Sequence, residues 1–248
     1  MINKKGTQWW DKQLESYDFR KNPYKINRAG KVEYQAIFDR FDITPREYPR
    51  LVELGSGDGR FVLNFAKKGY SVTGIDVSGN AVDVLKKRAS YWKLSHKIKA
   101  IHNDLFNPIK ELAGGFDAGY IISTYHCISN NEKHQKRVVR NFVKLIKRGG
   151  KIFIMEPNPL NILYYLAYPS IYKDNWREGF NIIHSSKGKL IRLLSEVGMI
   201  DIKVFYHSFL PTSFINNWSF VKEINQFLSS NPVVRNFSAF HIITAIKK

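Results

Sequence analysis

The sequence predicts an α/β protein with a doubly wound, mostly parallel sheet. Three observations carry that prediction. Short apolar strands alternate with amphipathic helical segments from residue 51 to the fifth strand, and the rhythm breaks after Pro159. The first strand runs straight into a glycine-rich turn, Gly55-Ser56-Gly57-Asp58-Gly59. The chain has 248 residues, 44% hydrophobic and 14% aromatic, enough for one full core with an appendage. Right-handed crossovers then place helices on both faces of the sheet.

The elements follow in order. Residues 1–45 interleave aromatics with charges; Tyr34, Ile37, Phe38 and Phe41 repeat at helical spacing, which predicts an N-terminal helical cap. Leu51–Leu54 is the first strand, and Phe61, Val62, Phe65 and Ala66 mark one face of the helix behind the glycine turn. Ser71–Ile75 is the second strand, ending at Asp76; Ser78 is an N-cap for a helix over Ala81, Val82 and Leu85. Ile98–Ile101 is the third strand, leading into His102-Asn103-Asp104, and Phe116–Ile122 is the fourth. A basic amphipathic helix with Val138, Val139, Phe142 and Val143 comes next, stopped by Arg148-Gly149-Gly150. Lys151–Met155 is the fifth strand, ending at Glu156-Pro157-Asn158-Pro159. An aromatic insertion over 160–185, a helix Gly188–Val197, a strand Ile200–Phe209, a second insertion over 210–236 and a strand Phe240–Ile246 complete the chain. The organisation expected is a cap (1–45), a core (46–159) and a C-terminal half of the same domain (160–248) carrying the two insertions.

Composition excludes several classes. Cys127 is the single cysteine, so neither a disulfide scaffold nor a zinc site of cysteines is available. No apolar run reaches the roughly 18 residues that span a bilayer. Met1–Lys12 lacks the apolar stretch of a signal peptide, and a cytoplasmic protein is expected. Lys plus Arg number 39 against 21 Asp plus Glu, a net charge of +18. That balance fits an anionic partner, or the Lys-, Ile- and Asn-rich usage of an AT-rich genome.

The glycine turn departs from the dinucleotide fingerprint, because its third glycine comes one place early and Arg60 stands where that pattern wants glycine. Glu53-x-Gly55-x-Gly57-x-Gly59 instead resembles the first motif of class I S-adenosylmethionine-dependent methyltransferases. Asp76 closing the second strand, Asn103-Asp104-Leu105 closing the third, Phe116-Asp117 opening the fourth and Gly149-Gly150 before the fifth agree with it. The resemblance covers residues 50–157 well and the C-terminal strand pair more loosely. It implies a seven-stranded Rossmann-like methyltransferase fold with a reversed C-terminal strand, and S-adenosyl-L-methionine as cofactor, leaving S-adenosyl-L-homocysteine. Gly55, Ser56 and Gly57 would approach the methionyl part, with Glu53 positioning it indirectly. Asp76, with Val77 beside it, would hold the ribose. Asp104 would take the adenine amino group, with Asn103 and Leu105 beside the ring, and the backbone at Ser123 would meet the methionyl ammonium. Gly59 either contacts the cofactor or permits close helix packing, and Asp58 either acts there or caps the next helix.

Methyl transfer from a sulfonium is an in-line displacement, served largely by orientation. An oxygen acceptor also needs a base. His126 and Glu156, beyond the fourth and fifth strands, are the candidates; His184 is a weaker one. No metal is expected. Glu156-Pro157-Asn158-Pro159 differs from the nucleic-acid amino-methyltransferase motif in strand and in lacking the aromatic, and is closer to the turns of small-molecule and lipid-tail methyltransferases. Aromatic and aliphatic insertions suit a small or lipid-like acceptor, and the basic surface suits peripheral contact with an anionic membrane. Two other readings stand: an RNA methyltransferase, weakened because the two basic clusters fall on helices of opposite faces, and a cofactor-binding protein without transfer activity.

Overall fold

The computed structural model describes residues 37, 39–129, 131–161, 163, 186–210 and 219–248. Most of the expected cap, most of the first insertion with His184, and the start of the second insertion lie outside the described residues.

Seven strands form one sheet: β1 (Arg50–Leu54), β2 (Ser71–Asp76), β3 (Ile98–His102), β4 (Phe116–Ile122), β5 (Ile146–Pro157), β6 (Met199–His207) and β7 (Phe240–Lys247). The helices are α1 (Arg60–Lys67), α2 (Gly79–Tyr91), α3 (Tyr125–Ile128), α4 (Glu132–Leu145), α5 (Lys187–Glu196) and α6 (Ser219–Ser230). The strand order is β3-β2-β1-β4-β5-β7-β6. Strands β1 to β5 pair in parallel, and β7 runs antiparallel to both β5 and β6. This is the seven-stranded, doubly wound sheet with a reversed last strand that the sequence predicts.

Alternation along the strands builds two cores. Val52, Leu54, Ile121, Ile152 and Ile154 face Val138 and Phe142 of α4 and Leu190, Leu193 and Leu194 of α5. Leu51, Val72, Tyr120, Phe153 and Met155 face the other way, onto α1 and Leu85 of α2. Burial on both faces is why these strands read as continuous apolar runs. Ile37 and Phe41 belong to the second core, where the Phe41 ring lies 5.3 Å from that of Phe153 and 6.3 Å from that of Tyr120. The two basic helices, α2 and α4, thus lie on opposite faces.

Two features depart from expectation by more than a residue or two at an element's end. Helix α4 ends at Leu145, before Gly149, because Ile146 is already extended and paired with Phe116. Residues 147–150 then leave the ladder, and pairing resumes at Lys151 opposite Ala118. The excursion brings the Lys147 ammonium to 2.8 Å from Asp117, whose carboxylate also accepts from the Arg50 backbone N–H at 2.8 Å. Asp117 therefore ties together the starts of β1, β4 and β5, at the end of the sheet away from the glycine turn. The second difference is α6, which lies inside the expected second insertion. Its Phe220, Ile224 and Phe227 recur at helical spacing, yet Phe220 and Phe227 are 67% and 66% exposed.

Candidate active site

The carboxyl ends of the parallel strands meet at one edge, where ligands of open α/β sheets bind. The glycine turn after β1 is the centre of that edge. Its Gly55 N–H donates to Ile75 O at 2.8 Å and its Gly57 N–H to Asp76 Oδ2, also at 2.8 Å. The other Asp76 oxygen accepts from Ser78 N at 2.9 Å. The carboxylate is thus fixed between the glycine turn and the α2 N-terminus, where Ser78 caps the helix by accepting from Ala81 N at 3.0 Å.

Two glycines of the turn have different reasons to be glycine. Gly57 sits at φ +52°, and a Cβ there would meet no atom within 4 Å: its space faces outward, free for a ligand. Gly59 sits at φ +83°, and a Cβ there would run into the Leu85 side chain at 2.1 Å. Gly59 serves close packing of the turn on α2. Asp58 does not cap α1, whose N-cap is Gly59 with no side-chain bond. Its carboxylate pairs instead with the buried guanidinium of Arg88, which also donates to Asp58 O at 3.1 Å.

Glu53 is fully enclosed, and its Oε2 has no hydrogen-bond partner among the described residues. Burial pushes its carboxyl well above the ordinary range, against the opposing pull of Tyr120 and Arg60. Ser56 is buried, its Oγ also without a partner, and its N–H donates to Ile75 O. After β2, Val77 O is held by His102 Nε2 at 2.9 Å. After β3, Asn103 N–H donates to Asp76 O at 2.9 Å, and its side chain donates to Asp104 O and Asn107 O. Asp104 Oδ1 accepts from Phe106 N at 2.9 Å, and Leu105 packs against the first core.

At the tip of β4, Ser123 adopts φ +48° and donates its N–H to Met155 O at 2.8 Å. A non-glycine residue held there stores strain of the kind found at functional turns. Thr124 packs into the space above Gly55 and donates to Gly55 O at 3.3 Å. Glu156, at 0% exposure, reaches over from β5. Its Oε1 accepts from Thr124 N and Tyr125 N at 2.9 and 2.8 Å, and its Oε2 from His126 N at 3.2 Å. It caps the first turn of α3 from a neighbouring strand. The same Oε2 lies 2.7 Å from His126 Nδ1. Burial favours the neutral imidazole, but the Cys127 sulfur and the Glu156 carboxylate overcome it, and His126 titrates well above its ordinary value.

A family model described as "Methyltransferase domain" matches residues 51–150. Over those residues the chain carries a class I S-adenosylmethionine-dependent methyltransferase domain. The ubiquinone biosynthesis O-methyltransferase of Vibrio parahaemolyticus is 24% identical over 162 residues, 65% of this chain and 62% of that protein. The sterol 4-C-methyltransferase strm-1 of Caenorhabditis elegans is 23% identical over 161 residues, 64% of this chain and 43% of that protein. The match thus spans less than two thirds of either curated relative. Geranyl diphosphate C-methyltransferase from Streptomyces coelicolor A3(2) superposes with a TM-score of 0.65 at 14% identity, covering 96% of this chain and 83% of that one, a likeness of fold.

The residues present fit the cofactor of this methyltransferase family. Gly57 leaves a cradle that a side chain would fill, Asp76 stands fixed beside it, and beneath the turn Glu53 Oε2 is buried with no partner among the described residues. The sequence marked every one of these positions. It did not mark Thr124, which fills the space above Gly55, or the Asp58–Arg88 pair. Neither has a local pattern, because each joins residues about 30 or more apart in the chain. Among the described residues no cluster of His, Cys, Asp and Glu could hold a metal ion, and no helix is long and apolar enough to cross a membrane.

Proposed function

We propose that this methyltransferase domain transfers a methyl group to a small or lipid-like acceptor lying over the tips of β4 and β5. One observation carries the reading: Gly57, open toward solvent, and Asp76, locked to its N–H, form a cofactor cradle adjoining the strained Ser123 turn. S-adenosylmethionine supplies an activated methyl on a sulfonium. The chain's own work is to bind and orient. Each Asp76 oxygen accepts a backbone N–H, which fixes the carboxylate at the end of β2 where it would meet the ribose hydroxyls. Glu53, beneath the turn, offers its lone oxygen toward the methionyl ammonium. Asp104, with Asn103 and Leu105, borders the adenine, and the Ser123 backbone faces the methionyl end.

Near the acceptor, His126 is the candidate base and Glu156 its positioning residue. The carboxylate fixes the ring through Nδ1 and leaves Nε2 as the atom that exchanges a proton with an acceptor hydroxyl. Because the pair holds the proton tightly, an oxygen acceptor would be activated best above neutrality.

Acceptors of the relatives support a small-molecule substrate, since their names specify a ubiquinone precursor pathway, a sterol and geranyl diphosphate. The exposed Phe220 and Phe227 of α6, on a chain of net charge +18, support contact with an anionic lipid surface. The split of the basic helices over two faces supports neither a single nucleic-acid groove nor an RNA substrate. The test is transfer of labelled methyl from S-adenosylmethionine to a panel of phenols, isoprenoids, sterols and phosphorylated small molecules. Transfer that disappears in Asp76→Ala supports the reading. Tight cofactor binding with no transfer to any acceptor would favour a non-catalytic role.

A further inference from the structure

The strand tips beyond β5 hold a second polar cluster, which the cofactor site does not use. Lys187 Nζ donates to Tyr206 Oη at 2.5 Å and to Asn236 Oδ1 at 2.6 Å; Tyr206 Oη donates to the same Asn236 Oδ1 at 2.6 Å. Lys187 and Arg235 both approach the Tyr206 ring, at 4.9 and 5.6 Å from its centroid. Neither cation has a carboxylate partner among the described residues. Further along α5, Arg192 pairs with Glu132 and Glu196 with Lys136.

The position of Lys187 is itself costly. It is the first residue of α5, at the helix end that repels cations, and the Ser186 N-cap makes no side-chain bond there. No acidic residue stands in that first turn. Two cations and an uncapped helix N-terminus therefore lie together with no negative charge beside them among the described residues.

The spot is built and aimed. Asn158, in the turn after β5, donates to Asn236 O at 2.7 Å and Ser238 O at 2.8 Å. Asn161 donates to Phe237 O at 2.6 Å. Both asparagines are buried, and they pin the segment carrying Arg235 and Asn236 to the tip of β5. In register, Glu156 pairs with His241 and His241 with Tyr206, so these three form a row across β5, β7 and β6 on one face. With strands about 4.8 Å apart, Tyr206 lies about 10 Å from Glu156.

We propose that Lys187, Arg235, Tyr206 and Asn236 form a subsite for an oxyanion, a phosphate or a carboxylate, carried by the acceptor two strands and about 10 Å from Glu156. This rests on the reading that the acceptor lies at the strand tips beside His126. Lys187 has one ammonium proton left after its two bonds, and Arg235 brings a guanidinium suited to a planar or tetrahedral oxyanion.

Isothermal titration of the protein saturated with S-adenosylhomocysteine tests it, using phenyl phosphate, benzoate and neutral phenol as probes. The affinity for S-adenosylhomocysteine, measured first, reports on the cofactor site alone. The expected result is that phenyl phosphate or benzoate binds more tightly than phenol. Lys187→Met should weaken that binding about ten- to a hundredfold, the effect of losing a charged hydrogen bond. Arg235→Gln, on an exposed side chain, should weaken it by a smaller factor. Neither substitution should change the affinity for S-adenosylhomocysteine. Anionic probes binding no better than phenol, or binding unchanged in Arg235→Gln, would overturn the subsite even where cofactor binding is intact.

Discussion

His126 Nδ1 lies 2.7 Å from Glu156 Oε2, and the two residues are 8% and 0% exposed. The pair joins the tip of β5 to the first turn of α3, and the same carboxylate holds three backbone N–H groups of that turn. Removing one partner of such a buried pair leaves the other uncompensated, which costs about 3 kcal/mol or more. Glu156→Gln should therefore lower the melting temperature by about 6–12 °C. Calorimetry of the variant at neutral pH checks this; a shift under 2 °C would show that the turn does not depend on the carboxylate.

The pair also sets a pH dependence. The folded-state pKa of His126 is raised above its ordinary 6.5. Its contribution to stability is fully present below the unfolded value and is lost as pH rises through the folded value. Wild-type stability should fall across that alkaline window, and the Glu156→Gln profile should be flatter there. Transfer to a hydroxyl acceptor should rise with pH over the same range, and its rising limb should move to lower pH in Glu156→Gln. Denaturant melts and initial rates between pH 6 and 10 give both profiles.

Gly57 and Gly59 should separate binding from folding. Alanine at Gly57 meets no atom of the protein, so it should cost only the left-handed backbone penalty of about 1–2 kcal/mol while blocking the cofactor. Alanine at Gly59 carries the same penalty and strikes Leu85, adding about 1–3 kcal/mol of overpacking. The Gly59→Ala protein should melt lower, yet keep more of its affinity for S-adenosylhomocysteine once folded. Parallel melting and titration of the two variants decide it.

Most of this was legible in the sequence, for a physical reason. The glycine turn, Asp76 and Asp104 sit at strand ends, where local pattern fixes both the fold and the edge facing a ligand. Ser78 as an N-cap was legible because capping is local. What was not legible joins distant elements. Nothing near Lys147 announces that it must leave its helix to reach Asp117. Nothing near Lys187 announces Asn236, which Asn158 brings to it from another strand. Helix α6 was hidden because its apolar stripe faces outward, so its aromatics read as an insertion wall.

Asp117 offers a control far from the site. Burial works to raise its carboxyl, but hydrogen bonds from Lys147 and Arg50 outweigh that and hold it below the usual value. Its stabilisation is present above the unfolded carboxylate range and is lost as pH falls through the folded value. Asp117→Asn should lower stability at neutral pH and flatten the acid limb, with no change in cofactor affinity. Acid denaturation of the two proteins is the check.

The outward stripe of α6 makes a prediction about lipid. Phe220→Asp with Phe227→Asp should reduce sedimentation with anionic vesicles at low salt, and neutral vesicles should bind less than anionic ones. Equal recovery of wild type and double variant in the supernatant would remove membrane contact from the account.

The most direct test of the central claim is a thermal-shift titration with S-adenosylmethionine and S-adenosylhomocysteine, with NAD as the control. A ligand at about 100 times its dissociation constant adds about 2.7 kcal/mol, a rise of about 5–10 °C for a chain of this size. The cradle at Gly57 and Asp76 predicts that rise with both adenosyl ligands, none with NAD, and its loss in Asp76→Ala. A rise with NAD alone, or with none of the three, would contradict it.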